Sequence, residues 1–139
     1  MNDFSYIRGG IHETNMNADI TEQEILDAIS HAKADKSPGC DEILNEMLKA
    51  GTIAIVPFLR ALFQRLFDTG YFPLEWAKSI IVPIFKKGNV NLCENYRGVS
   101  LTSLISKLYT RILNVRITNF NINMTVLPEE QGGYREKEN

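Results

Sequence analysis

Apolar residues recur along most of this chain at steps of three and four, and along one short stretch they run without a break. Ile25, Ala28, Ile29 and Ala32 follow the first rhythm and predict an amphipathic helix with those side chains inward. Thr21 can cap its first turn, Glu24 can bond back to the Thr21 amide, and Ile20 with Ile25 can clamp the start as a hydrophobic staple. The helix should end near Ala34, because Lys36-Ser37-Pro38-Gly39 combines a residue without an amide donor and one free to take positive φ.

A short helix carrying Ile43, Leu44, Met47 and Leu48 should follow and stop at Gly51. A longer one is expected from about Ile53 to Thr69, with Ile55, Leu59, Leu62, Phe63, Leu66 and Phe67 as its stripe and Gly70 as its close. Tyr71 to Trp76 is an aromatic-rich turn whose rings are expected to anchor a core.

The unbroken run, Ser79 to Phe85, reads as a strand. Pro83 inside it calls for an edge strand or a bulge. Lys86-Lys87-Gly88-Asn89 should turn the chain, 90–95 should be a loop, and Arg97 to Leu101 a short return strand. Thr102 or Ser103 then caps a helix reaching about Ile117, with Leu104, Leu108 and Ile112 on one row and Ile105, Tyr109 and Leu113 on the next. Lys107, Arg111 and Arg116 are assigned to its polar side. The fold class is α+β and helix-dominant, with a small antiparallel β hairpin packed by helices. Residues 1–18 are read as a flexible lead-in.

The 139 residues suit one domain or part of a larger one, and 44% hydrophobic content suffices for a core. No apolar run is long enough to span a membrane, so no membrane contact is expected. The polar first twenty residues lack the core of a secretory signal. Cys40 and Cys93 are far apart and outside any CxxC spacing, which points away from disulfides and zinc and toward an intracellular location, cytoplasmic or nuclear. His12 and His31 have no ligand spacing either.

Charge changes the picture more. The net charge is −2, yet residues 1–50 hold four basic and ten acidic side chains while 51–139 hold eleven and seven. Between 76 and 118 seven cations face Glu94 alone. A basic middle in an acidic chain suits a polyanion-facing surface. The strand, turn and Asn95-Tyr96-Arg97 segment would place Lys86, Lys87 and Arg97 at the mouth of one hairpin, where they could neutralise a triphosphate or a nucleic-acid backbone. A solvated turn with ordinary surface cations is the alternative, and residue types alone leave both open.

Two-metal chemistry needs converging carboxylates. Asp3, Asp19, Asp27, Asp35, Asp41 and Asp68 are all isolated, and Asp35 and Asp41 flank a Pro-Gly turn where Asp is common for turn reasons. No nucleophile–base pair stands out, so the residues themselves give no catalytic site.

Six segments resemble, in order and spacing, the reverse transcriptases of non-LTR (LINE-like) retrotransposons. Ile20 to Ile25 resembles the helix that opens that family's fingers. Lys36-Ser37-Pro38-Gly39-Cys40-Asp41 is similar to its K-S-P-G-P-D loop, and Gly70 to Trp76 to its G-x-F-P-x-x-W turn. Ile81 to Gly88 resembles I-V-P-I-x-K-K-G, Asn95 to Leu101 resembles N-Y-R-[PG]-[IV]-S-L, and Gln131 to Arg135 resembles Q-x-G-[FY]-R. Cys40 and Phe85 stand where the family commonly has Pro.

The resemblance implies a partial reverse transcriptase domain over 19–135, on the fingers side with the palm missing, and a truncated tail at 136–139. It implies that Lys86 and Arg97, beside Lys87, contact the incoming triphosphate. Gln131, Gly133 and Arg135 would lie near template and nucleotide. RNA template, primer DNA and incoming dNTP are the implied partners, and magnesium is the cofactor of the full-length family, with none in this chain. The family's metal-binding aspartates would come after Arg135, so the chain alone is expected to be an inactive fragment of an RNA-directed DNA polymerase. Apolar faces that would dock on a palm could drive self-association. The rival expectation is a non-enzymatic RNA- or protein-binding module derived from such an enzyme.

Overall fold

A computed structural model describes residues 15–124, with side chains described for 16–120. Its elements run α1 (Glu22–Ser30), α2 (Asn45–Ala50), α3 (Thr52–Thr69), β1 (Ser79–Phe85), β2 (Tyr96–Thr102) and α4 (Leu104–Met124), with short 3-10 turns at Asn15–Asn17, Leu74–Ala77 and Cys93–Asn95. The class is α+β and helix-dominant. By internal contacts, residues 19–112 form one compact unit, and 1–18 with 113–139 form another.

The start of α1 follows its local code. The Thr21 hydroxyl accepts from the Glu24 amide at 3.2 Å, and the Glu24 carboxylate accepts from the Thr21 amide at 2.9 Å. Ile20 and Ile25, the two halves of the staple, are both fully buried. Helix α3 grips the same spot: Gln64 accepts from the Ile20 amide at 2.7 Å, and Arg60 donates to the Ile20 carbonyl at 3.1 Å. α1 ends at Ser30 with His31 as its cap, four residues before Ala34. The His31 Nδ1 lies 2.7 Å from the Asp27 carbonyl and satisfies a terminal acceptor there.

The core of this unit joins Ile25, Ala28 and Ile29 of α1, Leu48 of α2, Val56, Leu59, Phe63 and Leu66 of α3, and Leu104, Leu108, Tyr109 and Ile112 of α4. α2 is shorter than expected. Ile43 and Leu44 precede it, and Met47 is 59% exposed. α3 runs through Pro57 and closes on Gly70, whose φ of 66° is the left-handed cap conformation. Pro57 sits in the second turn, so only the link back to Ile53 near the helix start is lost. The stripe of α3 is rotated from the expected one: Val56 is buried and Leu62 is 38% exposed.

Of the aromatic turn, only Trp76 leans on a buried ring. It lies 6.1 Å from Tyr109, which in turn lies 5.3 Å from Phe63. Tyr71 and Phe72 stay exposed, with Phe72 edge-on to Trp76. Trp76 is three residues before β1, so this ring series roots the hairpin in the helices.

In the second unit Arg116 is buried, contrary to its assignment to a polar face. Its guanidinium donates to the carbonyls of Met16 and Ala18 at 3.2 and 2.6 Å. Apolar spacing cannot foresee a cation buried to satisfy backbone acceptors. α4 also extends seven residues beyond Ile117.

Candidate nucleic-acid interface

β1 and β2 pair antiparallel in unbroken register from Ser79↔Thr102 to Phe85↔Tyr96, with Pro83 opposite Gly98. The ladder continues one step, where the Lys86 amide donates to the Asn95 carbonyl at 2.8 Å. Hydrogen-bonded pairs alternate along such a ladder. Counting back from Lys86 places Pro83 at a position that bonds to no partner strand. Its missing N–H therefore faces the open edge and costs no ladder bond, so no bulge is needed.

The turn is braced from within. Gly88 takes a φ of 94°, and an added Cβ there would crowd the Asn95 side chain. Asn95 donates to the Asn89 carbonyl at 2.8 Å, and the Asn89 side chain accepts from the Asn91 amide at 2.9 Å. The Tyr96 hydroxyl donates to the Val90 carbonyl at 2.9 Å while its ring meets Phe85 edge-on. These bonds hold a ten-residue connection in one shape.

Opposed residues share a face, and faces alternate along a strand. The register therefore puts Lys86, Ile84 and Arg97 on one face at the same end of the hairpin. Lys87 follows in the bend. All three cations are exposed, and none has a side-chain hydrogen bond or ion pair among the described residues. Such an end can meet phosphate oxygens with a point charge and a planar fork. Gln131, Gly133 and Arg135, the remaining expected site residues, lie outside the described residues.

Sequence reasoning passed over Asp41, assigning it to a turn. Its carboxylate instead reaches the start of α4, accepting from the Ser103 hydroxyl and the Leu104 amide, each at 2.7 Å, and from the Ile105 amide at 3.5 Å. Ser103, one of the two expected caps, accepts from the Ser106 amide at 3.3 Å. Partial burial opposes the charge of Asp41, but the Ser103 bond and the amides of Leu104, Ile43 and Ile105 outweigh it and hold the carboxyl below its ordinary value. Gly39 lies against the Thr102 carbonyl so closely that any Cβ would collide with it. The Pro-Gly loop is thus docked where β2 becomes α4. The signal for this was a Gly and an Asp two residues apart, but the partner lies some sixty residues on.

Among the described residues, no three His, Cys, Asp or Glu side chains converge to hold a metal. Both cysteines are free and exposed. No described helix is long and apolar enough to cross a membrane.

No family model matches the chain. It is 32% identical over 115 residues to the "Probable RNA-directed DNA polymerase from transposon BS" of Drosophila melanogaster, covering 82% of this chain and 13% of that protein. Over 113 residues it is 33% identical to the corresponding protein of transposon X-element of the same fly, covering 81% and 12%. The RNA-directed DNA polymerase from mobile element jockey, also of Drosophila melanogaster, is 27% identical over 117 residues, covering 84% and 13%. The chain belongs with the RNA-directed DNA polymerases of non-LTR retrotransposons, as a partial region of one. It spans about one eighth of the length of these relatives.

Proposed function

We propose that this chain supplies the fingers surface that receives the incoming triphosphate and the RNA template in a retrotransposon reverse transcriptase. Lys86, Lys87 and Arg97 are its contacts, with Gln131, Gly133 and Arg135 joining them on resemblance alone. The observation that carries this reading is the braced hairpin end, where Lys86 and Arg97 share a face and neither side chain has a hydrogen bond or ion pair among the described residues. Its role is positioning and charge neutralisation, the larger part of what a protein contributes to phosphoryl transfer. The metal-binding carboxylates belong to the rest of the polymerase, so the chain by itself does not extend a primer.

The test is binding of a labelled oligoribonucleotide across a salt series. Each phosphate neutralised on a single strand steepens the log–log salt slope by about 0.7. Lys86→Ala with Arg97→Ala should weaken binding about tenfold and flatten the slope by roughly 1.4 if each cation meets one phosphate. Unchanged affinity and slope would remove the hairpin from the interface. Primer extension by the pure chain with magnesium present would overturn the assignment of the chemistry to other regions of the polymerase.

A further inference from the structure

Of the five prolines in the chain, only Pro38 follows a serine or threonine. The Ser37 before it is exposed and lies outside any helix or strand, and its hydroxyl has no hydrogen bond among the described residues. A following proline biases a residue toward extended backbone and puts no N–H at the next position. An extended, accessible serine is the form in which a protein kinase takes its acceptor. A kinase groove that leaves the next position without an acceptor for an amide would select this one.

The surroundings of Ser37 give a phosphate a place to dock. Ser37 lines a cleft of about 280 Å³ between the end of α1, the loop that follows it, α2 and the first turns of α4. Every charged side chain lining that cleft is positive: Lys33 and Lys36 from the loop, and Lys107 and Arg111 from successive turns of α4. All four are exposed, and none has a hydrogen bond or ion pair from its side chain among the described residues. The nearby acids are engaged elsewhere. Asp41 accepts from the first amides of α4, and Glu46 accepts from the Asp35 amide at 2.6 Å. The loop is already held beside α4 two residues past Ser37, where Gly39 lies against the Thr102 carbonyl. Four uncompensated cations around one concavity concentrate positive potential there. A phosphoserine carries a charge of about −1.5 to −2 at pH 7, and opposite such a cluster it gains about one to three charge-assisted hydrogen bonds.

We propose that Ser37 is a phosphorylation site for a proline-directed protein kinase, and that its phosphate docks among Lys33, Lys36, Lys107 and Arg111 and pins the loop to α4. In the transfer the kinase's base takes the Ser37 hydroxyl proton, and the Oγ bonds to the γ-phosphorus of ATP. The bond from that phosphorus to the β–γ bridging oxygen breaks, and ADP leaves. The phosphate that fills the cleft is then the chain's own, so the proposal does not rest on the hairpin reading.

The experiment uses the full 139-residue chain, ATP and two proline-directed kinases, one cyclin-dependent and one mitogen-activated. Peptide mass mapping should place one added phosphoryl group on Ser37, and Ser37→Ala should take none. Failure of both kinases to modify Ser37 in the native chain overturns the proposal. The phosphorylated chain should melt roughly 3 °C or more above the unmodified one, and phosphatase should reverse the gain. Lys107→Gln with Arg111→Gln, phosphorylated to the same extent, should lose most of that gain. Lys33→Gln lies outside any helix and should reduce it too, which decides the matter should the α4 pair lose helix. Phosphorus NMR of the wild type adds a readout of the docked phosphate itself. The surrounding cations should hold its second ionisation below the ordinary value of about 6. An unchanged or lowered melting point, a gain that survives both cleft variants, or an ordinary second ionisation would each show a phosphate standing in solvent and overturn the proposal.

Discussion

The helices and the hairpin of this chain treat apolar side chains in opposite ways. In the helical part Ile20 just before α1, Ile25 and Phe63 are sealed completely, and polar groups such as Gln64 and Arg60 bond the Ile20 backbone. In β1 every residue is exposed, including Ile81 at 69%. A lone two-stranded ribbon is marginal in water. This one keeps its form through the Asn89, Asn95 and Tyr96 braces at its tip and Trp76 near its base. Stability therefore resides in the helices, and the hairpin presents a surface, charged at its end and apolar along its length.

The sharpest way to break that contrast is to cut into each part in turn. Phe63→Ala removes a fully buried ring that meets Tyr109, and urea denaturation should show a loss of about 3–5 kcal/mol. Ile81→Thr in β1 should move the same midpoint by less than about 0.5 kcal/mol. Similar losses at both positions would refute the division of labour.

The joint between the two parts comes next in size. Gly39→Ala forces a Cβ into the Thr102 carbonyl and should cost about 1–3 kcal/mol by the same assay. Asp41→Asn removes the charge at the head of α4 and should cost about 0.5–2 kcal/mol at neutral pH, as lost helix caps do. Its sign with pH follows from a carboxyl held below its ordinary value in the folded state. The contribution is fully present above the unfolded value of 3.8 and fades as pH falls through the folded one. Denaturation at pH 7 and again near pH 2.5 should show the gap between wild type and Asp41→Asn closing in acid. A gap that persists would mean the carboxylate charge is not what anchors the loop.

The smallest stability effect belongs to the hairpin cations. Lys86→Ala and Arg97→Ala should leave the denaturation midpoint within about 0.5 kcal/mol of wild type while weakening RNA binding. A large loss of stability would make them structural residues instead.

What could be read from residue order was local. Thr21, Glu24, Ile20 and Ile25 lie within six positions, and their capping box and staple are present as expected. Ser79–Phe85 is the strand its Ile and Val content announced, and Gly70 is the left-handed cap that follows α3. The candidate hairpin end was legible because its three cations flank one turn. Long-range pairing was not. Asp41 bonds residues more than sixty positions away, and the Lys33, Lys36, Lys107 and Arg111 cleft joins segments no periodicity connects. Leu62 and Met47 fit an apolar stripe yet stay exposed, because spacing gives the face of a helix and not the extent of what covers it.

The most direct test of the hairpin as the nucleic-acid surface is amide hydrogen exchange of the full chain with and without an oligoribonucleotide. Without RNA, the amides of α1 and α3 should exchange slowly and those of residues 86–97 quickly. With RNA, protection should rise across 86–97 while α3 stays as it was. Bound RNA that leaves 86–97 unprotected would contradict the account.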